Sequence, residues 1–188
     1  CSADLIANLF LDELIKNGTT SVMTFCTSFK QSVEAFFNAA ENRNLRMVAG
    51  KVMMDRHAPD ELCDNPDNSY SDSKELIEKW HNKGRLRYAV TPRFAPTSSS
   101  SQLKQAARLL NEYPSDDQTK GVLLQTHLNE NDEEIAWVND LFPDSNSYFG
   151  VYEDHGITGN RSVFGHCIHN TEEEYQRMAK TGSKVSLC

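Results

Sequence analysis

Two histidines sit where apolar strand patterns give way to polar sequence: His127 in 121–128 (GVLLQTHL) and His166 in 162–169 (SVFGHCIH). A neutral imidazole is a good ligand for a divalent metal. Two of them on neighbouring parallel strands, about 4.8 Å apart, can reach one ion. A lone strand-end histidine is more often a hydrogen-bonded core residue, but the pair tips the balance toward a metal. Glu130 comes three residues after His127, ahead of Asp132, Glu133 and Glu134. Its carboxylate could exchange protons with an activated water. A capping residue or a solvated acid is an equally good reading. Arg93 and Phe94 follow Pro92 at a third strand end. The guanidinium fork suits a carbonyl oxygen or ring nitrogen of a flat polar ligand, and Phe94 can stack on a ring. Taken alone, Arg93 is better read as a surface salt-bridge residue, and Phe94 could simply pack.

Other reactive residue types are assigned to structure. His169 lies an odd number of steps beyond His166, so strand alternation turns it, with Cys167, toward the helices. His57, His81 and His155 fall in loop or helix contexts and read as solvated. Trp80 and Trp137 fit helical core positions.

The elements that position these side chains alternate. Helical spacing covers 3–17, 29–43, 71–84, 97–114, 132–142 and 171–182, with a further short helix over 146–155. Short β-branched or apolar runs at 19–26, 46–52, 85–92, 121–128, 162–169 and 184–188 predict six strands. A polar stretch from Asp55 to Tyr70 is long enough for a functional loop. Segment 115–120 (SDDQTK) reads as slightly extended and remote from the site. Buried strands joined by helices make a parallel α/β sheet with right-handed crossovers. No Gly-x-Gly-x-x-Gly or Walker-type loop follows any strand, which favours a (β/α)8 barrel over an open nucleotide-binding sheet. A whole barrel needs about 250 residues. The 188 residues therefore predict a partial barrel, one central portion of a single domain with both ends truncated.

Composition removes several classes of function. The net charge of −8 comes without a basic block, which argues against nucleic acid. No apolar run approaches the roughly 20 residues of a membrane span, and no signal peptide is visible. Five cysteines without Cys-x-x-Cys spacing suggest free thiols in a reducing, cytoplasmic setting.

The stretches GKVMMDRHAPD (50–60), RLRYAVTPRFAPTSS (85–99), QTHLNENDEEIAWV (125–138) and RSVFGHCIH (161–169) together resemble the guanine deaminase branch of the amidohydrolase superfamily. The resemblance runs through nearly the whole chain. It implies one zinc ion and hydrolytic deamination of guanine to xanthine and ammonia, a step of purine catabolism. It implies His127 and His166 as metal ligands, Glu130 as proton shuttle, and Arg93 and Phe94 as the residues holding the purine. The six strands then count as barrel strands two to seven. A His-x-His pair and a purine-binding Gln are implied before Cys1, and a metal-binding Asp after Cys188. A homodimer is implied for the full-length protein. The segment alone is then expected to bind zinc poorly and to lack deaminase activity. Two alternatives stay open at this level. One is another enzyme of the same metal frame, such as a chlorohydrolase or a different aminohydrolase. The other is a barrel without metal that acts as a binding module.

Overall fold

The strand and helix patterns fold as a parallel α/β layer whose helices cover the strands' outer side. The computed structural model describes residues 2–114 and 120–187. The expectation for segment 115–120 therefore lies outside the described residues, Lys120 excepted. The order is α1 (Ala3–Lys16), β1 (Ser21–Phe25), α2 (Lys30–Asn42), β2 (Arg46–Gly50), β3 (Val52–Met53), α3 (Pro66–Trp80), β4 (Arg87–Pro92), α4 (Ser100–Glu112), β5 (Leu123–Leu128), α5 (Asp132–Leu141), α6 (Tyr148–Asp154), β6 (Ser162–His166), α7 (Glu172–Thr181) and β7 (Lys184–Ser186). Single 3-10 turns occupy Asp60–Leu62 and Ala95–Thr97. The sheet runs β1-β2-β4-β5-β6-β7, with β3 paired to β4.

Every ladder is parallel. The sheet is also strongly curved. In a flat sheet β1 and β5, three positions apart, would be about 14 Å from each other. Yet the Gln125 amide of β5 donates to the Thr24 carbonyl of β1 at 2.8 Å and to Thr91 Oγ1 of β4 at 3.0 Å. The Phe25 and His127 rings, again on β1 and β5, have centroids 4.6 Å apart. These cross-strand contacts require a half-barrel, with Gln125 and His127 facing its inside.

The outer side of the strands carries the main core. Met47, Tyr88, Leu124 and Phe164 are buried there with Leu76, Leu103 and Phe149 from the helices. Trp80 is buried and packs on Phe37 at 5.7 Å. Trp137 differs from the core position expected for it. It is 38% exposed and stands beside Phe94 instead.

Several boundaries differ from expectation, β6 for one ending at His166 rather than at 169, and two of the differences have clear local reasons. The strand expected over 46–52 breaks at Lys51. That residue's backbone N–H leaves the ladder to donate to the Tyr88 hydroxyl at 3.1 Å, and its buried ammonium pairs with Asp64. Much of the expected 55–70 loop is ordered. The Asn65 side chain caps α3 by accepting from the Asn68 amide at 2.8 Å, and Pro66 occupies the first helical turn, so the helix starts five residues earlier than its apolar pattern.

Candidate active site at the strand ends

β5 ends with His127 and Leu128, and β6 ends with Gly165 and His166. The ladder pairs His127 with Gly165 and Leu128 with His166. The two histidines are thus one residue out of phase. Regular alternation would send His166 to the face that carries buried Leu128. The backbone corrects this. His166 and Cys167 both take left-handed conformations, with φ of 69° and 56°. The chain turns at His166, and its ring stacks on His127 with centroids 5.2 Å apart and planes 21° apart. Side chains other than glycine avoid this region, at a cost of order 1–3 kcal/mol each. Two consecutive instances at one strand end are the kind of local strain that active sites retain. The same turn undoes the alternation argument for 167–169. Cys167 is buried, whereas His169 is exposed, with Nδ1 3.5 Å from the Asp132 carboxylate.

His127 is oriented from beneath. Its Nδ1 lies 2.7 Å from the Arg93 carbonyl, which can only accept, so Nδ1 carries the hydrogen and Nε2 keeps a lone pair. The same carbonyl accepts from the His127 amide and from Thr126 Oγ1, both at 3.2 Å. Burial is the main cause that holds the His127 imidazole below the ordinary histidine value; the Arg93 carbonyl, the next largest influence, pulls the other way, and the neighbouring His166 adds a smaller downward push. His127 is accordingly neutral near pH 7, with its free nitrogen in the form that binds metals.

Glu130 stands over this pair. Its Oε2 is 3.6 Å from His166 Nε2, and its side chain is 46% exposed. The asparagines on either side fix it there. Asn129 is buried with φ of 50°, and its amide donates to Asn170 Oδ1 at 2.9 Å and to Glu174 at 3.1 Å. Asn131 caps α5 by accepting from the Glu134 amide at 2.9 Å. Glu130 is therefore not the helix cap, which removes one of its two structural readings. Asn129 was not singled out from the sequence. The signal for it was present, because asparagine tolerates the left-handed region and can hydrogen-bond locally.

Arg93 and Phe94 reach the same mouth from β4. The Phe94 ring meets His127 edge-on at 6.4 Å. The exposed Arg93 guanidinium lies over the Phe94 ring at 4.9 Å and forms no ion pair among the described residues. That argues against a structural salt bridge; one guanidinium nitrogen donates to Met54 Sδ at 3.9 Å, and the remaining donors face the mouth. Trp137 meets Phe94 edge-on at 6.3 Å and His57 at 5.3 Å, closing the outer wall. All five residues singled out from the sequence thus stand at one rim, the C-terminal ends of β4, β5 and β6. Barrel enzymes place their chemistry there. Among the described residues, no three His, Cys, Asp or Glu side chains come together as a metal cage. The donors that fit a metal here are the two imidazoles, one in a fixed tautomer, with a carboxylate nearby.

Residues 3–188 match the amidohydrolase family. The chain belongs to that family. Among its relatives is "Guanine deaminase" of Escherichia coli (strain K12), 51% identical over 179 residues, which are 95% of this chain and 39% of that protein. "Probable guanine deaminase" of Deinococcus radiodurans is 40% identical over 99% of this amidohydrolase chain and 41% of its own length. Among solved structures, E. coli guanine deaminase superposes with a TM-score of 0.94 at 50% identity, covering 99% of this chain and 42% of that one. Guanine deaminase from C. acetobutylicum, with guanine bound in its active site, gives 0.92 at 33% identity, over 99% and 43% of the two chains. Triazine hydrolases near 20% identity share the fold, with TM-scores of 0.84–0.86. The chain spans about two-fifths of the length of the curated relatives it matches.

Proposed function

We propose that the protein carrying this chain is a guanine deaminase, and that residues 1–188 supply the middle strands of its single barrel domain. It would hydrolyse guanine to xanthine and ammonia with zinc as cofactor. The observation that carries this reading is the convergence of His127, His166, Glu130, Arg93 and Phe94 on one rim, aided by the off-phase turn at His166. The relatives named above support the choice of guanine.

In this reading His127 and His166 are two of the metal's ligands. Zinc, when bound, supplies a water that ionises near neutral pH. The Arg93 carbonyl keeps His127 in the correct tautomer. The Arg93 guanidinium donates to acceptors on the purine edge, and the Phe94 ring packs against its plane. Guanine then presents the carbon bearing its amino group toward the attacking water. Glu130 accepts a proton from that water and delivers it to the purine. The added hydroxyl gives up its remaining proton, carried by Glu130 to the amino group; the C–N bond then breaks, ammonia leaves, and the oxygen remains as the new carbonyl of xanthine.

Guanine loss by the intact, zinc-loaded protein tests the assignment. Glu130→Gln should lower kcat by about 10²–10⁴-fold, the usual weight of a general acid–base group. Arg93→Ala should raise KM for guanine and lower kcat/KM. Unchanged kinetics in Glu130→Gln, or no guanine turnover by the parent protein, would sink the reading.

A further inference from the structure

The purine clamp on β4 and the metal-ligand strand β5 are joined from behind by one side chain of α6. Tyr152 is completely buried. Its hydroxyl lies 2.7 Å from the His127 carbonyl, 3.0 Å from the Ala95 amide and 3.2 Å from Thr126 Oγ1. Proton bookkeeping fixes the roles. A carbonyl only accepts, so the single phenolic hydrogen goes to His127. The Ala95 N–H only donates, so Tyr152 accepts it. Thr126 has one hydroxyl hydrogen, shared between Tyr152 and the Arg93 carbonyl 3.2 Å away. The phenol thereby uses its donor on His127 and one lone pair on Ala95, and its other lone pair faces the shared Thr126 hydrogen.

We propose that Tyr152 is a positioning residue: its hydroxyl locks the Arg93–Phe94 clamp to His127, so that ring placement and purine placement depend on one buried fastener. The inference rests on the guanine deaminase reading for the roles of Arg93 and His127. The closed circuit carries the argument. The Arg93 carbonyl accepts from the His127 ring, the His127 carbonyl accepts from Tyr152, and Tyr152 accepts from Ala95, two residues after Arg93. Each link touches either the clamp or the ligand. A phenol that served only to stabilise the fold could end on any buried backbone group. This one joins the two functional strands at the residues that bear the chemistry. Loss of the hydroxyl leaves the Ala95 N–H and the His127 C=O without that partner, and both strand ends can then drift. A drift of 1 Å at a positioned group can cost about 10²-fold in rate.

The test uses the intact protein. Tyr152→Phe removes only the oxygen. Zinc affinity, read by competition with a chromogenic chelator, should fall about 10–100-fold, the usual effect of losing a partner behind a metal ligand. KM for guanine should rise in the same variant. Thr126→Val should shift both quantities in the same direction by less, and Thr126→Ser, which restores the hydroxyl, should recover them. If Tyr152→Phe lowers the melting temperature but leaves zinc affinity and KM at parental values, Tyr152 is structural only and the proposal is overturned. If Tyr152→Phe does not fold, the Thr126 pair decides: equal zinc affinities in Val and Ser variants overturn it. The zinc readout separates this test from the guanine assignment. A parent protein that binds zinc but leaves guanine untouched would refute the substrate, while the Tyr152 effect on zinc would still be measured.

Discussion

His81 closes the corner between α3 and β4 with both ring nitrogens. Nδ1 accepts the Tyr88 amide hydrogen at 3.0 Å, and Nε2–H donates to the Lys120 carbonyl at 2.7 Å. Burial is the main cause that holds its imidazole below the ordinary histidine value, and Arg87 and Arg161 add to that. The unfolded chain, with a histidine pKa of about 6.5, therefore binds a proton at a higher pH than the folded one. Between the folded and unfolded values, stability rises with pH. Acidification through about pH 6.5 should then progressively destabilise the protein until the folded imidazole protonates as well. His81→Gln should remove that share of the slope, at a cost of roughly 1–2 kcal/mol at pH 7 for the altered hydrogen bonds. Urea melts of the intact protein from pH 5 to 8 would check this, and equal slopes for parent and variant would contradict it. The sequence reads His81 as solvated because its context is a helix end. Only the fold brings Lys120 and Tyr88 to its two nitrogens. His127 and His166 were legible for the opposite reason: each interrupts an apolar strand, and a polar residue there must be explained. The left-handed turn that makes them meet was not legible, because nothing in Gly165-His166-Cys167 favours positive φ on two residues that have side chains.

Among the elements, β2 and β4 are fitted most tightly. A Cβ on Gly50 would fall 1.8 Å from the Ala89 carbonyl oxygen and 2.7 Å from Thr91 Oγ1. Backbone cannot yield as a flexible side chain would. Gly50→Ala should therefore cost about 3 kcal/mol or more, the upper end for overpacking. Denaturant melts of the intact protein measure it, and a change within experimental error would show that β2 can slide away from β4. The close approach also explains the break in the expected 46–52 strand. Once Gly50 passes beneath Ala89, Lys51 turns inward to Asp64, and pairing resumes at Val52 and Met53 against Thr91 and Pro92. The order of helices and strands was legible because apolar spacing distinguishes the two. The beginning of α3 was not, since its first turns are polar and its start is marked by the Asn65-Pro66 cap. Ser69, on one of those turns, is nonetheless buried against Gln102, a burial that polarity conceals.

At the scale of the molecule, the half-barrel leaves β1 and β7 paired on one side only among the described residues. Beside β1, helix α1 presents Leu5, Ile6 and Leu9, each more than half exposed. A largely apolar cavity of about 540 Å³ opens between α1, β1 and α2, lined by Ile6, Phe10, Phe25, Cys26, Phe29 and Phe36. Soluble monomers rarely expose apolar surface of this extent without a partner for it, and unpaired strand edges invite association. The 188 residues expressed by themselves should therefore bind a hydrophobic dye strongly and self-associate at micromolar concentration. The intact protein, whose relatives are about two and a half times as long, should do neither to the same degree. On the proposed reading the segment should also bind zinc weakly and leave guanine unchanged, because two imidazoles would provide only part of a four-ligand site. Light scattering, dye fluorescence and a guanine assay, run side by side on segment and intact protein, distinguish the outcomes. A monomeric, dye-silent segment would mean that the apolar faces of α1 and β1 satisfy one another. A segment that turns guanine over would mean that His127, His166 and Glu130 need no groups beyond β5, β6 and their loops.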